Sequence, residues 1–158
     1  MALVTSAGTT RRTWADRLRF WVRIANKVEV LQLRLFGISG VSFMRRRDVL
    51  VLETIGRRTG KRRRSPVTYL CNDDGSYRIG GGAGGMTRVD WVANLRVRYD
   101  AVVYVRRKRL AVRVHELDGE QRDAAHEAAA RRWPEVLNYE RVSNRQIPYF
   151  RLTPVEGE

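Results

Sequence analysis

Val49-Leu50-Val51-Leu52-Glu53-Thr54-Ile55-Gly56-Arg57-Arg58-Thr59-Gly60-Lys61-Arg62-Arg63-Arg64-Ser65-Pro66 joins an apolar run to a glycine-bracketed turn and six cations. The run reads as a buried strand over 48–54, and 66–71 as its antiparallel return, so the stretch is a hairpin. Gly56 and Gly60 permit a tight bend and let backbone N–H groups approach a ligand oxygen. Arg57, Arg58 and Arg63 offer planar donor forks matched to phosphate or carboxylate, and Lys61 adds a point charge. The bland alternative is a hairpin turn decorated with solvated arginines.

Outward from the hairpin the pattern stays antiparallel. Asn72-Asp73-Asp74-Gly75 is a turn signal leading to a short strand over 76–80. Alternating strands follow over 101–106 and 110–116, around a basic turn at Arg107-Lys108-Arg109, with a last strand over 147–152. Short helices are expected over 90–98, 119–133 and 134–142. Helix, antiparallel strands, short helices and a closing strand together make an α+β fold around a small barrel-like sheet.

On the N-terminal side, residues 11–36 place Trp14, Leu18, Trp21, Val22, Ile24, Ala25, Val28, Leu35 and Phe36 on one helical face, with Arg12, Arg19, Arg23, Lys27 and Arg34 opposite. Such a helix suits an anionic membrane surface, and equally a seat on its own domain. Arg17 and Glu29 interrupt the apolar arc. The expected division is a tail and amphipathic helix over 1–36 and a barrel over 37–158, within a single domain of 158 residues.

Charge is unevenly placed. Residues 11–64 carry 16 basic and 4 acidic side chains, whereas residues 65–158 carry 15 and 13. A field so localised attracts nucleic acid, an anionic membrane or a small polyanion. No aromatic residue interleaves the cations between 45 and 64, so nucleic acid, which would use a stacking platform, ranks last of the three. One cysteine, Cys71, precludes an internal disulfide and points to a reducing compartment, and His115 and His126 make no zinc cluster. Without a spanning apolar run or a secretory leader, the expected location is cytoplasmic, with peripheral attachment to the inner face of the membrane as an option.

Gly80, Gly82 and Gly85 match Gly-x-Gly-x-x-Gly, but their flanking strands look like hairpin members and no second βαβ unit exists, so a dinucleotide fold is rejected. The tract is read instead as a place where a flat ring or phosphate comes close to the backbone. His115 and His126 read as surface residues. No nucleophile and base stand at a catalytic spacing, so the chemistry belongs to a cofactor.

The quoted hairpin resembles the strand-turn-strand motif of the deazaflavin (F420)-dependent nitroreductase family, the split β-barrel oxidoreductases of FMN-binding-like fold. Three further segments agree in order: the glycine tract followed by Asp90-Trp91-Val92-Ala93-Asn94-Leu95, the segment from Trp133-Pro134 to Tyr139, and Arg145-Gln146-Ile147-Pro148. The likeness covers about 30–155. It implies coenzyme F420, whose phosphate and glutamate tail would meet Arg57, Arg58, Thr59, Gly60, Lys61 and Arg63. FMN lacks that acidic tail. Gly81, Gly82, Ala83, Gly84 and Gly85 would then lie along the ring, supported by Trp91 and Asn94. Thr68, Tyr69, Trp133, Val136 and Tyr139 would line the substrate side, with Tyr139 as proton donor to a quinone, enone or nitro compound. The family often has Ser-Lys-Gly-Gly where this chain has Gly82-Ala83-Gly84-Gly85, so one cofactor lysine is replaced by Ala83. A noncatalytic lipid-binding protein on the same fold is the alternative.

Overall fold

A computed structural model describes residues 24–31, 48–82 and 89–155. Six strands form a closed antiparallel barrel in the order β1-β2-β3-β6-β5-β4: β1 Val49–Ile55, β2 Arg62–Cys71, β3 Tyr77–Gly80, β4 Asp100–Val105, β5 Lys108–Leu117 and β6 Tyr149–Pro154. Helix α1 covers 24–31, α2 Asp90–Leu95, α3 Gly119–Arg132 and α4 Val136–Ser143. The expected α+β split-barrel class is therefore observed, and a dinucleotide-binding sheet is ruled out because every strand pair is antiparallel. Of the expected helix 11–36, only 24–31 lies within the described residues.

Alternation along the strands sorts residues between two cores. Leu50, Leu52, Val67, Tyr69, Ile79, Val103, Val112, Val114, Phe150 and Leu152 fill the barrel interior. Helix α2 adds Trp91, Val92 and Leu95 to that core, with the Trp91 ring edge-on to Phe150. Outside the sheet, Ala125 and Ala129 of α3 and Val136 of α4 cover Ile147 and Tyr149. The alanines let α3 lie close to the sheet, and they also explain why its amphipathicity is weak in the sequence.

Two boundaries differ from expectation for local reasons. β2 begins at Arg62, because Arg62, Arg63 and Arg64 pair with Ile55, Thr54 and Glu53 instead of remaining in the turn. The β4–β5 turn is Arg106-Arg107, with Lys108 and Arg109 already paired to Val105 and Tyr104. Both turn residues are left-handed, at φ 45° and 68°, the conformation of a two-residue primed hairpin that glycine or asparagine normally supplies. An L side chain there costs about 1–2 kcal/mol. Arg107→Gly is therefore expected to raise stability by about 1 kcal/mol, or roughly 2–4 °C in Tm, measured by thermal unfolding. A lower Tm would show that the Arg107 side chain contributes more than its backbone costs.

Candidate active site

The cationic turn is built by short-range backbone bonds. Gly56 N–H donates to Lys61 O at 2.8 Å, and Gly60 N–H to Gly56 O at 2.8 Å. Gly60 sits at φ +64°, and a Cβ on Gly56 would stand 2.9 Å from Thr59 Oγ1 and 3.3 Å from Lys61 O. Each glycine is thus required by the bend.

Buried Asn94 fastens this turn to the barrel. Its Oδ1 accepts from Arg57 N–H at 3.1 Å and from the Arg57 guanidinium at 3.4 Å, and its Nδ2 donates to Thr54 Oγ1 at 3.2 Å. Arg57 also stands 3.7 Å from Asp90. Arg64 pairs at 2.6 Å with the buried carboxylate of Glu53, and Arg62 reaches the same group at 3.9 Å. The Glu53 hydrogen bond raises the Arg64 pKa and keeps that guanidinium charged. Three of the six cations thus serve the hairpin. Among the described residues, no ion pair engages Arg58, Lys61 or Arg63.

The glycine tract has a different explanation from the one expected. A Cβ on Gly80 would stand 2.8 Å from the Tyr149 ring, one on Gly81 2.8 Å from Val92 and 2.9 Å from Pro148, and one on Gly82 3.2 Å from Tyr139. These three are glycine because the protein packs on itself there. Ala83, Gly84 and Gly85 lie outside the described residues.

Helix α2 brings the two halves together. Val92 touches Gly81 while Asn94 holds the cationic turn. The two contacts are two residues apart on one helix, about 3 Å of rise. Trp91 packs in the barrel core, Asn94 holds the turn and Val92 lies against Gly81; the rest of the glycine loop that Trp91 and Asn94 are expected to support lies outside the described residues.

Of the residues expected on the substrate side, Trp133, Val136 and Tyr139 gather on the outer face against Tyr149 and Ile147. Tyr139 borders Gly82. Thr68 shares the outward side of β2 and is half-buried, whereas Tyr69, its neighbour on an alternating strand, points into the barrel and is 5% exposed. Burial, aided by Asp48, raises the Tyr69 pKa. The fold does not bring Tyr69 together with the other four.

A polar cluster beneath this face had no signature in the sequence. Arg122 pairs with Glu140, whose second carboxylate oxygen stands 3.7 Å from His126 Nε2. The His126 Nδ1 and the Tyr149 hydroxyl share a hydrogen bond across 3.2 Å. Burial pushes the Tyr149 pKa up to about 12. His126 is thus half-buried and not the surface residue the sequence suggested, while His115 is exposed. The partners lie 14 to 27 positions from His126 or Arg122 along the chain, so no local spacing could reveal them.

Burial, reinforced by the Arg122 charge, lowers the His126 pKa. The unfolded chain then binds the proton more readily than the folded one, so stability rises with pH between the lowered folded value and about 6.5. Tm should accordingly fall as pH drops from about 7 toward 5, and His126→Gln should flatten that slope. An equal slope in H126Q would assign the effect elsewhere.

The chain thus combines a closed antiparallel barrel, a cationic turn and a partly buried apolar face around Trp133 and Tyr139. The model of the F420H(2)-dependent quinone reductase family matches residues 21–154, and the chain belongs to that family. It is an F420-dependent reductase, and coenzyme F420 is its cofactor. Among solved structures, one described as an F420-H2 dependent reductase (FDR-A) is 26% identical with a TM-score of 0.60, covering 67% of this chain and 94% of its own. A structure described as a domain-swapped dimer is 22% identical with a TM-score of 0.62, covering 89% and 99%. The heme storage protein HutZ from Vibrio cholerae shares the fold at 17% identity and a TM-score of 0.54, covering 74% of this chain and 89% of its own.

Proposed function

We propose that this chain uses F420H2 to reduce an electron-poor, largely apolar acceptor of the quinone class, with enones and nitro compounds as chemically related substrates. The observation that carries the reading is the set Arg58, Lys61 and Arg63, which no ion pair engages among the described residues, on a turn that the buried Asn94 holds in place. That donor set fits a phosphate followed by carboxylates. Because α2 contacts both the turn, through Asn94, and Gly81, through Val92, the proposed ligand is an elongated one that spans α2.

When bound, reduced F420 supplies the hydride from its C5 carbon. Arg58, Lys61 and Arg63 bind the polyanionic end, and Gly56 and Gly60 hold the backbone in the shape that presents them. Trp133 and Tyr139, packed with the buried Val136, supply the half-buried face against which an apolar acceptor is oriented and water displaced. The Tyr139 hydroxyl delivers a proton to the reduced acceptor. Ala83, where the family pattern has lysine, shifts more of the anion binding onto the turn.

Replacing Arg58, Lys61 and Arg63 together by alanine should raise the F420 dissociation constant by about a hundredfold or more, since even one hydrogen bond to a charged group contributes about 1.5–3 kcal/mol. Fluorescence titration of F420 measures it, with menadione turnover as the activity arm. A constant unchanged within about twofold would remove the turn from the binding site.

A second reading, attachment to an anionic membrane surface, is favoured by α1. Ile24, Val28 and Leu31 fall on one helical face at spacings of four and three, and are 36%, 48% and 55% exposed. Wild-type protein should co-sediment with vesicles containing phosphatidylglycerol, and a variant with serine at all three positions should remain in the supernatant. Equal partitioning of the two would count against this reading.

A further inference from the structure

Ile147 is held through both of its backbone polar groups. Its N–H donates to Glu140 Oε1 at 2.7 Å, and its carbonyl accepts from Arg122 Nε at 3.1 Å. The guanidinium of Arg122 also pairs with that same Glu140 oxygen, which closes a ring of Arg122, Glu140 and the Ile147 backbone. The neighbouring residues reach the glycine turn. Pro148 O accepts from Gly81 N–H at 2.8 Å, and the Arg145 guanidinium donates to Gly81 O at 2.8 Å. Gly81 is therefore fixed through both of its backbone polar groups to the segment that Arg122 and Glu140 grip.

The same unit locates Tyr139. Glu140 follows Tyr139 on α4, so anchoring Glu140 sets the rotation of the helix that carries the tyrosine. A Cβ on Gly82 would stand 3.2 Å from Tyr139 Cδ2 and 3.3 Å from Ile147 Cδ1, so the tyrosine, the clamped Ile147 and the glycine turn meet at one point. Half-burial strengthens this pair beyond an exposed one, with Arg122 12% and Glu140 25% exposed at the side chain.

We propose that Glu140, acting with Arg122, is a positioning residue of the reductase. The pair grips the Ile147 peptide and thereby sets the gap between Tyr139 and the Gly81–Gly82 turn. The proposal rests on the reading that this face receives the acceptor and the reactive end of the cofactor. It touches neither, and acts through Ile147 and Tyr139.

The test compares Glu140→Ala with Glu140→Gln, using Glu116→Ala, in the exposed Arg96 pair, as the control for loss of a surface ion pair. Amide hydrogen exchange at Gly81 and Ile147 is read in the cofactor-free protein, and kcat and KM are measured with F420H2 and menadione. Glutamine keeps an acceptor for the Ile147 N–H, so E140Q should stay within about threefold of wild type in every readout. E140A should speed exchange at Gly81 and Ile147 by about tenfold or more, leave Val103 in the barrel protected, and lower kcat by about tenfold or more. Should E140A not fold, Arg122→Lys, which keeps the charge but lacks the fork, should give the same ordering at smaller amplitude.

Unchanged exchange at Gly81 in E140A would overturn the clamp. Faster exchange with kcat and both KM values unchanged would overturn its role in positioning and leave it a structural contact. A wild-type protein inert toward F420H2 would instead overturn the functional reading, while the exchange comparison would still decide the clamp.

Discussion

The site depends on one buried amide. Asn94 uses its carbonyl oxygen for Arg57 and its amino group for Thr54, so the cationic turn cannot move independently of α2. Removing that side chain would leave buried backbone and hydroxyl groups without partners, at about 1–3 kcal/mol for each unsatisfied group. It would also free the turn from the helix whose Val92 buttresses Gly81. On the proposed reading, a polyanion is held at the turn and chemistry is performed near Gly81, and α2 contacts both.

Charge at the turn divides by partner. Arg62 and Arg64 balance Glu53, and Arg57 is bound to Asn94, which leaves Arg58, Lys61 and Arg63 outside any ion pair among the described residues. This division matters energetically, because a guanidinium already paired with a carboxylate gives up that pair to bind a new one, whereas an unengaged charge gives up only water. The apparent excess of cations around one hairpin therefore overstates the number available for recognition.

Much of the barrel was legible because strand alternation and turn chemistry are local. The Val49-Leu50-Val51-Leu52 run and the Gly56 and Gly60 turn state their own structure. The remainder depended on contacts distant in sequence. Gly80 is opposite Tyr149 only once β3 pairs with β6, so nothing local in the sequence shows that the first three glycines of the tract also answer to protein packing. Nothing nearby in the chain reveals that Arg57 is also held by Asn94. The Arg122, His126, Glu140 and Tyr149 cluster joins three elements, and α3 hides it among alanines. Thr68 and Tyr69 are adjacent in sequence yet on opposite sides of the sheet, a separation visible once the inward-facing row of β2 is known.

The most direct measurement compares binding of F420 with binding of its chromophore stripped of phosphate and glutamates, each at low and at high salt. If the turn grips the polyanionic end, F420 should bind on the order of a hundredfold more tightly at low salt, and that advantage should shrink as salt rises. Equal affinities for the two molecules, insensitive to salt, would contradict the account.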